Sequence, residues 1–460
     1  MKKYQLIFAS TFVFVVLFYD QSVGVNLGLF GLFLLGLLGY QYAAQLRNDK
    51  LALVMAATSL LSCFAFTWYG DFSSFLAMFS SFVLLQFRLE QPSLQIILAL
   101  PVTIVNAMAS VFRVFLFKDY LPQQNLENDL LKKVLAYLVI PVVLVSLFVI
   151  VYAFGSDLIS NLFLGYEWDI NIKMLVFLSI FGFYFSFSYW NFWTPQVVLD
   201  FDKRLQDDFV SNNNGDENTS LLGIDFERKS GEISLFLLNI LILIFIGSYS
   251  YEQFFQQSND ANLSVETHER INSVIVSMIM AIAVVLSFFR GAFSFEAKGQ
   301  RLRTLAQVWI VLNVFLMMTA FLKNAEYVSE FGLTYKRLGV FAFLILVLFG
   351  LLYSFLKLKK GKTNSYLCKR MFWYFYALIL LCSYINWGNL VTQYNLAQGK
   401  DIEKDFLEEL NFNDEIFFDL YSEELNNVKV ENSKIDELLE KQSAGVLSKS
   451  LYYETIDLKK

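Results

Sequence analysis

Apolar runs of 16–24 residues recur along this chain from its first residues to about residue 387. A helix of about 20 apolar residues matches the hydrocarbon thickness of a bilayer. Repetition of such runs therefore predicts an all-α, polytopic helical membrane bundle. Composition agrees: 17% of residues are charged, against about 25% in soluble domains. Expected spans lie at 4–20, 24–43, 51–69, 72–87, 134–153, 172–193, 232–250, 271–289, 305–322, 338–356 and 371–387, about eleven in all. They make residues 1–387 a transmembrane domain, with a polar connection at 194–231 and a small soluble tail at 388–460.

Residues 94–117 are long enough to cross a bilayer, but Pro101 interrupts them. After it Thr103, Asn106, Ser110 and Arg113 recur at helical spacing and form one polar stripe. Two readings are open, a helix lying at the interface or a span facing the bundle interior. Charge decides the count, because cytoplasmic loops carry the excess of Lys and Arg. With 94–117 outside the count and the N-terminus inside, inside connections hold 23 Lys/Arg and outside connections hold 5. Letting 94–117 span reverses every later loop and gives 10 against 18. The expected protein is a multi-pass protein of a bacterial inner membrane, N-terminus cytoplasmic and tail extracytoplasmic. The first helix is read as retained, since Phe18-Tyr19-Asp20-Gln21 lacks the small-residue pattern of a cleavage site.

The tail is acidic, with 16 Asp/Glu and 8 Lys from residue 400 onward. The remainder is nearly balanced, so a nucleic-acid partner is not expected. The run 211–220, rich in Asn and without apolar period, reads as disordered. Cys63, Cys368 and Cys382 are odd in number and unrelated in spacing, which implies neither a disulfide framework nor a metal site. No expected span carries an ionisable residue near its middle, although such residues usually mark ion or proton pathways. Asn239 and Asn313 are the candidate intramembrane polar residues, as bridges between helices or as the lining of a substrate path. No catalytic, cofactor-binding or metal-binding set is expected.

Interaction candidates gather at the ends of the spans. Arg228 and Lys229 read as a cytoplasmic anchor for anionic headgroups, or as a docking surface. The single histidine, His268, follows a helix start at Ser264 and reads as a polar first-turn residue or as a titrating outer-face group. The turn between the runs 305–322 and 338–356 places Lys323, Lys336 and Arg337 outside, against the charge rule. Arg337 also begins a helix, where a cation opposes the dipole. Tyr335, Lys336 and Arg337 are therefore expected to meet an anionic partner. One choice is the start of the tail around Tyr394, Asp401 and Glu403; the other is lipid phosphate.

Several stretches resemble the bacterial membrane family catalogued as domain of unknown function 4153, a relative of 4173. They are Phe226-Glu-Arg-Lys-Ser-Gly-Glu-Ile-Ser-Leu235, Leu263-Ser-Val-Glu-Thr-His268, Ser287-Phe-Phe-Arg-Gly291, Gly332-Leu-Thr-Tyr-Lys-Arg-Leu-Gly339, and Asn386-Trp387 with Gln393-Tyr-Asn-Leu396. Together they cover about 225–400, and the resemblance implies a polytopic helical domain with a C-terminal extension. It implies no activity. The sequence thus leads to a non-enzymatic sensing or partner-binding membrane protein, its partners being membrane lipids and a protein reached through the tail. The alternative is a transporter or lipid-handling protein, which a membrane-open cavity favours. An enzyme acting through His268 ranks third.

The topology is testable by labelling. Single cysteines at Asn125 and Thr455, in a background lacking the native three, meet an impermeant thiol reagent in intact spheroplasts. Thr455→Cys is expected to label and Asn125→Cys to stay unlabelled; the reverse pattern rejects the eleven-span arrangement.

Overall fold

The computed structural model describes residues 1–115, 141, 145, 171–208, 224–254, 263–289, 299–399, 403–427 and 433–457. The expected span at 134–153, the run 211–220, Asp401 and the His268 side chain lie outside the described residues. Every regular element among the described residues is helical. In chain order come α1 (Lys3–Phe18), α2 (Val25–Gln41), α3 (Ala43–Asn48), α4 (Lys50–Tyr69), α5 (Phe72–Glu90) and α6 (Ala99–Arg113). Then follow α7 (Ile172–Trp190), α8 (Gln196–Asp202), α9 (Ile224–Phe254), α10 (Leu263–Phe288), α11 (Gln300–Phe331), α12 (Tyr335–Lys360) and α13 (Asn364–Tyr384). The tail holds α14 (Trp387–Ala397), α15 (Lys404–Glu408), α16 (Asp414–Asn427), α17 (Ser433–Ser443) and α18 (Leu451–Glu454).

Local chemistry sets many of the ends. Asp49 accepts from the Leu51 and Ala52 amides and starts α4; Asp71 accepts from Ser74 N and starts α5. Thr334 caps α12 and Asn386 caps α14 in the same way. Between α4 and α5, Gly70 adopts φ +65°, so the chain reverses within Gly70-Asp71.

Two compact units share the chain. One comprises Met1–Ser22 and Ile104–Trp193, the other Val23–Thr103 and Thr194–Lys460. In the first, α1 packs along α7. The Gly182 site on α7 lies against the Phe14 ring, where an added Cβ would come within 2.7 Å. Trp190 Nε1 donates to Ser10 Oγ at 2.8 Å, and both residues are buried. The polar stripe of α6 turns inward: Asn106 Nδ2 donates to Ser188 O at 2.9 Å, and Asn106 Oδ1 accepts from Trp193 N. The Arg113 guanidinium lies 5.5 Å from the centre of the Trp193 ring. Met108, Phe112 and Phe115 face outward. A helix with its polar side buried and its apolar side exposed is built for lipid.

The second unit repeats that inversion. Ala52, Ser59, Ser62 and Cys63 of α4 are buried, while Leu53, Val54, Leu61 and Phe64 are more than half exposed. Without a hydrophobic force between helices in lipid, small residues let backbones approach. Gly28 and Gly31 of α2 accordingly meet Thr67 and Cys63 of α4. Hydroxyls join α13 to α4 and α5. Tyr376 OH lies 2.8 Å from both Thr58 Oγ1 and Ser81 Oγ, and Tyr384 OH lies 3.0 Å from Ser62 Oγ. A separate core of Leu235, Ile242, Met278, Trp309, Leu344 and Val347 unites α9 to α12.

Seven described helices are long and apolar enough to cross a membrane. The count becomes eight if α13 and α14, bent by 72° at their junction, form one span. The stretch Ile96–Arg113, left out of the charge-based count, is among the seven. At 16 and 17 residues, α1 and α2 are shorter.

The hydroxyl cluster can be weighed by one atom. Tyr376→Phe removes two interhelical hydrogen bonds, each worth about 0.6 kcal/mol in a membrane protein. A loss of about 1 kcal/mol in unfolding free energy is expected in detergent, measured by thermal or denaturant titration; unchanged stability excludes the cluster as glue.

Candidate functional site

In the second unit, the tail gathers the helix ends of one face. Val25 N donates to Lys449 O and Asn26 N to Leu447 O, each at 2.9 Å, so tail carbonyls satisfy the first amides of α2. Phe412 and Tyr452 pack on Tyr69 at the end of α4. Asn395 of α14 brackets Leu333: its Nδ2 donates to Leu333 O at 2.9 Å and its Oδ1 accepts from Leu333 N at 2.5 Å. Gly332 makes this possible with φ +81°, since a Cβ there would stand 2.8 Å from Asn395 Oδ1.

Buried Lys434 is the internal tie of the tail. Its Nζ donates to Leu410 O at 2.8 Å, to Leu407 O and Glu408 O at 3.3 Å, and to Asn413 Oδ1 at 2.5 Å. It also lies 5.0 Å from the centre of the Phe417 ring. Burial pushes this ammonium below the usual lysine range, while Asp414 and Glu437 pull it partly back. The carbonyl cage fixes α17 against α15 and α16. Beside it opens an acidic cavity of about 470 Å³, lined by Asp405, Glu408, Glu409, Asp414, Glu437 and Tyr453.

Two further cavities adjoin each other beneath the tail. A groove of about 530 Å³ runs between α12 and α13, lined by Leu338, Gly339, Ala342, Ile345, Leu378 and Leu381 among other apolar residues. At its outer end stand Tyr335, Cys382, Ile385 and Trp387, which also line a pocket of about 190 Å³. The remaining walls of the pocket are Tyr69, Asp71, Ser73, Ser383, Gly388, Asn411 and Phe412. Trp387 Nε1 donates to Cys382 O at 3.2 Å, and Tyr335 OH to Asn411 O at 3.4 Å. An apolar slot ending in a small polar chamber can hold an amphiphile, with its chain between the helices and its head under the tail.

The structure distributes the sequence candidates as follows. Tyr335 touches the tail, at Asn411 rather than at its start. Arg337 turns back to α11: Nη1 donates to Phe331 O at 2.9 Å and to Gly332 O, and the guanidinium lies 4.4 Å from the centre of the Tyr327 ring. A cation at the C-terminus of α11 meets the favourable end of that dipole, which offsets its place at the start of α12. Lys336 is exposed and has no partner among the described residues. Tyr394 packs in an apolar cluster with Val328, Leu333, Val391 and Phe417. Asn239 bridges α9 to α11 through Leu305 O at 3.0 Å, and buried Asn313 bonds its own helix at Trp309 O; neither lines the groove or pocket. Arg228 pairs with Asp225 at 2.5 Å, and Lys229 is exposed. For His268 only the backbone, on α10, is described. Asp71, Ser73 and Phe412 were not foreseen. The Gly70-Asp71 turn was legible, but nothing local links it to residues more than 300 positions away. Among the described residues no group of three or more His, Cys, Asp or Glu could hold a metal ion.

Stacked apolar helices with lipid-facing exteriors define a helical membrane protein. Residues 32–414 match the family described as Domain of unknown function (DUF4153), and the chain belongs to it. No curated protein and no solved structure matches the chain. Two of the stretches that carry the resemblance, Gly332–Gly339 and Asn386–Leu396, meet in the structure and form the outer end of the groove.

Gly388 tests the seating of the tail. A Cβ there would collide with Asn411 O and stand 2.8 Å from Tyr335 OH. Gly388→Ala is expected to lift the 411–412 segment, at a cost of about 1–3 kcal/mol for overpacking. Limited proteolysis should then cut the tail faster than in the parent; equal rates reject the close seating.

Proposed function

We propose that this chain is a non-enzymatic, lipid-binding protein of the bacterial inner membrane, with its tail covering the headgroup end of a lipid site. The observation that carries this reading is the apolar groove between α12 and α13 and its continuity with the polar pocket. Both helices bear long apolar stretches, so the groove runs along surface that lipid chains already bathe. Ile345 and Leu381 leave it open to the side. Of the readings left by the sequence, lipid handling is the one a membrane-open cavity favours. A protein partner on the tail is a second reading, favoured by the acidic cavity beside Lys434.

The topology belongs to the same proposal: eleven spans, N-terminus cytoplasmic, tail extracytoplasmic. Hydrogen bonds within the second unit support it. Gln95 N donates to Asp202 Oδ1 at 3.0 Å, so these two residues lie at one face. Thr363 N reaches Asp207 O, and Lys357 Nζ reaches Phe289 O at 3.1 Å, joining further ends at the same face. The ends near Gly24, Tyr69, Tyr335 and Trp387 meet with the tail. This grouping matches the alternation expected from the charges.

Native mass spectrometry tests the groove. The purified protein is expected to retain phospholipid through detergent exchange. Gly339 lines the groove and has open space around its Cβ position. Gly339→Trp should therefore fill the groove without disturbing the helix pair and should lose the lipid at unchanged melting temperature. Equal retention by both proteins overturns the reading.

A further inference from the structure

The pocket at the end of the groove carries a charge that no described residue answers. Asp71 is its one ionisable carboxylate, and no Lys, Arg or His lines it. Asp71 Oδ1 accepts from Ser74 N at 3.0 Å and Oδ2 from Ser73 Oγ at 2.5 Å. Each bond uses one lone pair and leaves others free. No ion pair to Asp71 exists among the described residues. Four of its other ten lining residues are aromatic: Tyr69, Tyr335, Trp387 and Phe412. A carboxylate among aromatic rings attracts a cation twice, through its charge and through the ring faces.

The geometry points to the primary ammonium of a phospholipid headgroup, such as ethanolamine, as the group this pocket takes. This rests on the lipid-binding reading of the groove and adds the chemistry of the head. Three features narrow the choice to a lipid amine. The pocket shares Tyr335, Cys382, Ile385 and Trp387 with the groove, so an occupant of one extends into the other. Its volume of about 190 Å³ has room for a headgroup amine. The free acceptors are the unused lone pairs of Asp71 and the Asn411 carbonyl, and these need a hydrogen donor, which a trimethylated nitrogen lacks. An anionic headgroup would bring its charge against Asp71.

Asp71 also caps α5, and Asn caps a helix as well as Asp does. Asp71→Asn thus removes the charge and keeps the cap. The purified full-length protein is titrated with phosphatidylethanolamine, phosphatidylglycerol and phosphatidylcholine of identical acyl chains, and bound lipid is counted by native mass spectrometry. The parent is expected to bind the ethanolamine lipid about fivefold more tightly than the glycerol lipid, the scale of one partly exposed charge-assisted contact. Asp71→Asn should abolish that preference, bringing the ethanolamine lipid down to the affinity of the glycerol lipid, at unchanged melting temperature. Equal affinity for the ethanolamine and glycerol lipids, or a preference that survives Asp71→Asn, overturns the inference and leaves the groove reading standing. Equal affinity for the choline and ethanolamine lipids overturns the requirement for N–H donors. Failure to bind any of the three sinks both readings.

Discussion

Lipid offers no hydrogen bonds, so polar groups inside the hydrocarbon must find partners within the protein. The consequences run through this structure. Side-chain hydroxyls that point between α4, α5 and α13 bond one another. Asn239 spans to the backbone of α11. The stripe of α6 turns its amide and guanidinium toward Ser188 and Trp193. The large apolar side chains are displaced outward, and small ones fill the contacts, because lipid solvates Leu and Phe as well as a protein core does.

Where the chain leaves the bilayer, that requirement relaxes and a different logic takes over. The tail buries Leu407, Leu410 and Phe417 as an ordinary soluble cluster. It also tolerates a buried ammonium, because Lys434 is ringed by carbonyl oxygens. That cage ties together short helices which, at 5 to 14 residues, could not hold alone. The seams between tail and bundle are hydrogen bonds to backbone: Val25 N to Lys449 O, and the side-chain amides of Asn395 to Leu333 and of Asn386 to Phe412 O.

Much of this was legible in the residues. Apolar run length announced the helices; the capping by Asp49, Asp71, Thr334 and Asn386 that sets their ends came from the structure. The polar stripe of α6 was visible by its period, although the period could not say which way it faced. Other features were hidden for physical reasons. Thr58, Ser62, Ser81 and Tyr376 are uncharged, and scattered hydroxyls in an apolar run carry no signal until three helices align them. The outer pocket is assembled from residues near 70, 335, 385 and 411, which only tertiary structure joins. Arg337 misled because its own helix is the wrong place for a cation; its partner is the end of the preceding one. Tyr335, expected to dock the start of the tail, meets it at the Asn411 carbonyl instead, and Tyr394, a residue of that start, packs in an apolar cluster.

The pairing of α2 with the tail has a consequence in time. The amides of Val25 and Asn26 are completed by carbonyls at Lys449 and Leu447, roughly 420 residues further along the chain. At synthesis rates of about 5–20 residues per second, the wait between the two is on the order of 20–80 s. Throughout that interval the first amides of α2 lack these partners, and Gly24 lacks the Ser448 backbone that later lies against it. The segment at 447–449, made long after α2, is the one that completes the first amides of that helix. A nascent chain cut short before residue 447 would keep its helices and lack their lock, which marks an unfinished copy of this protein chemically by the exposed amides of its second helix.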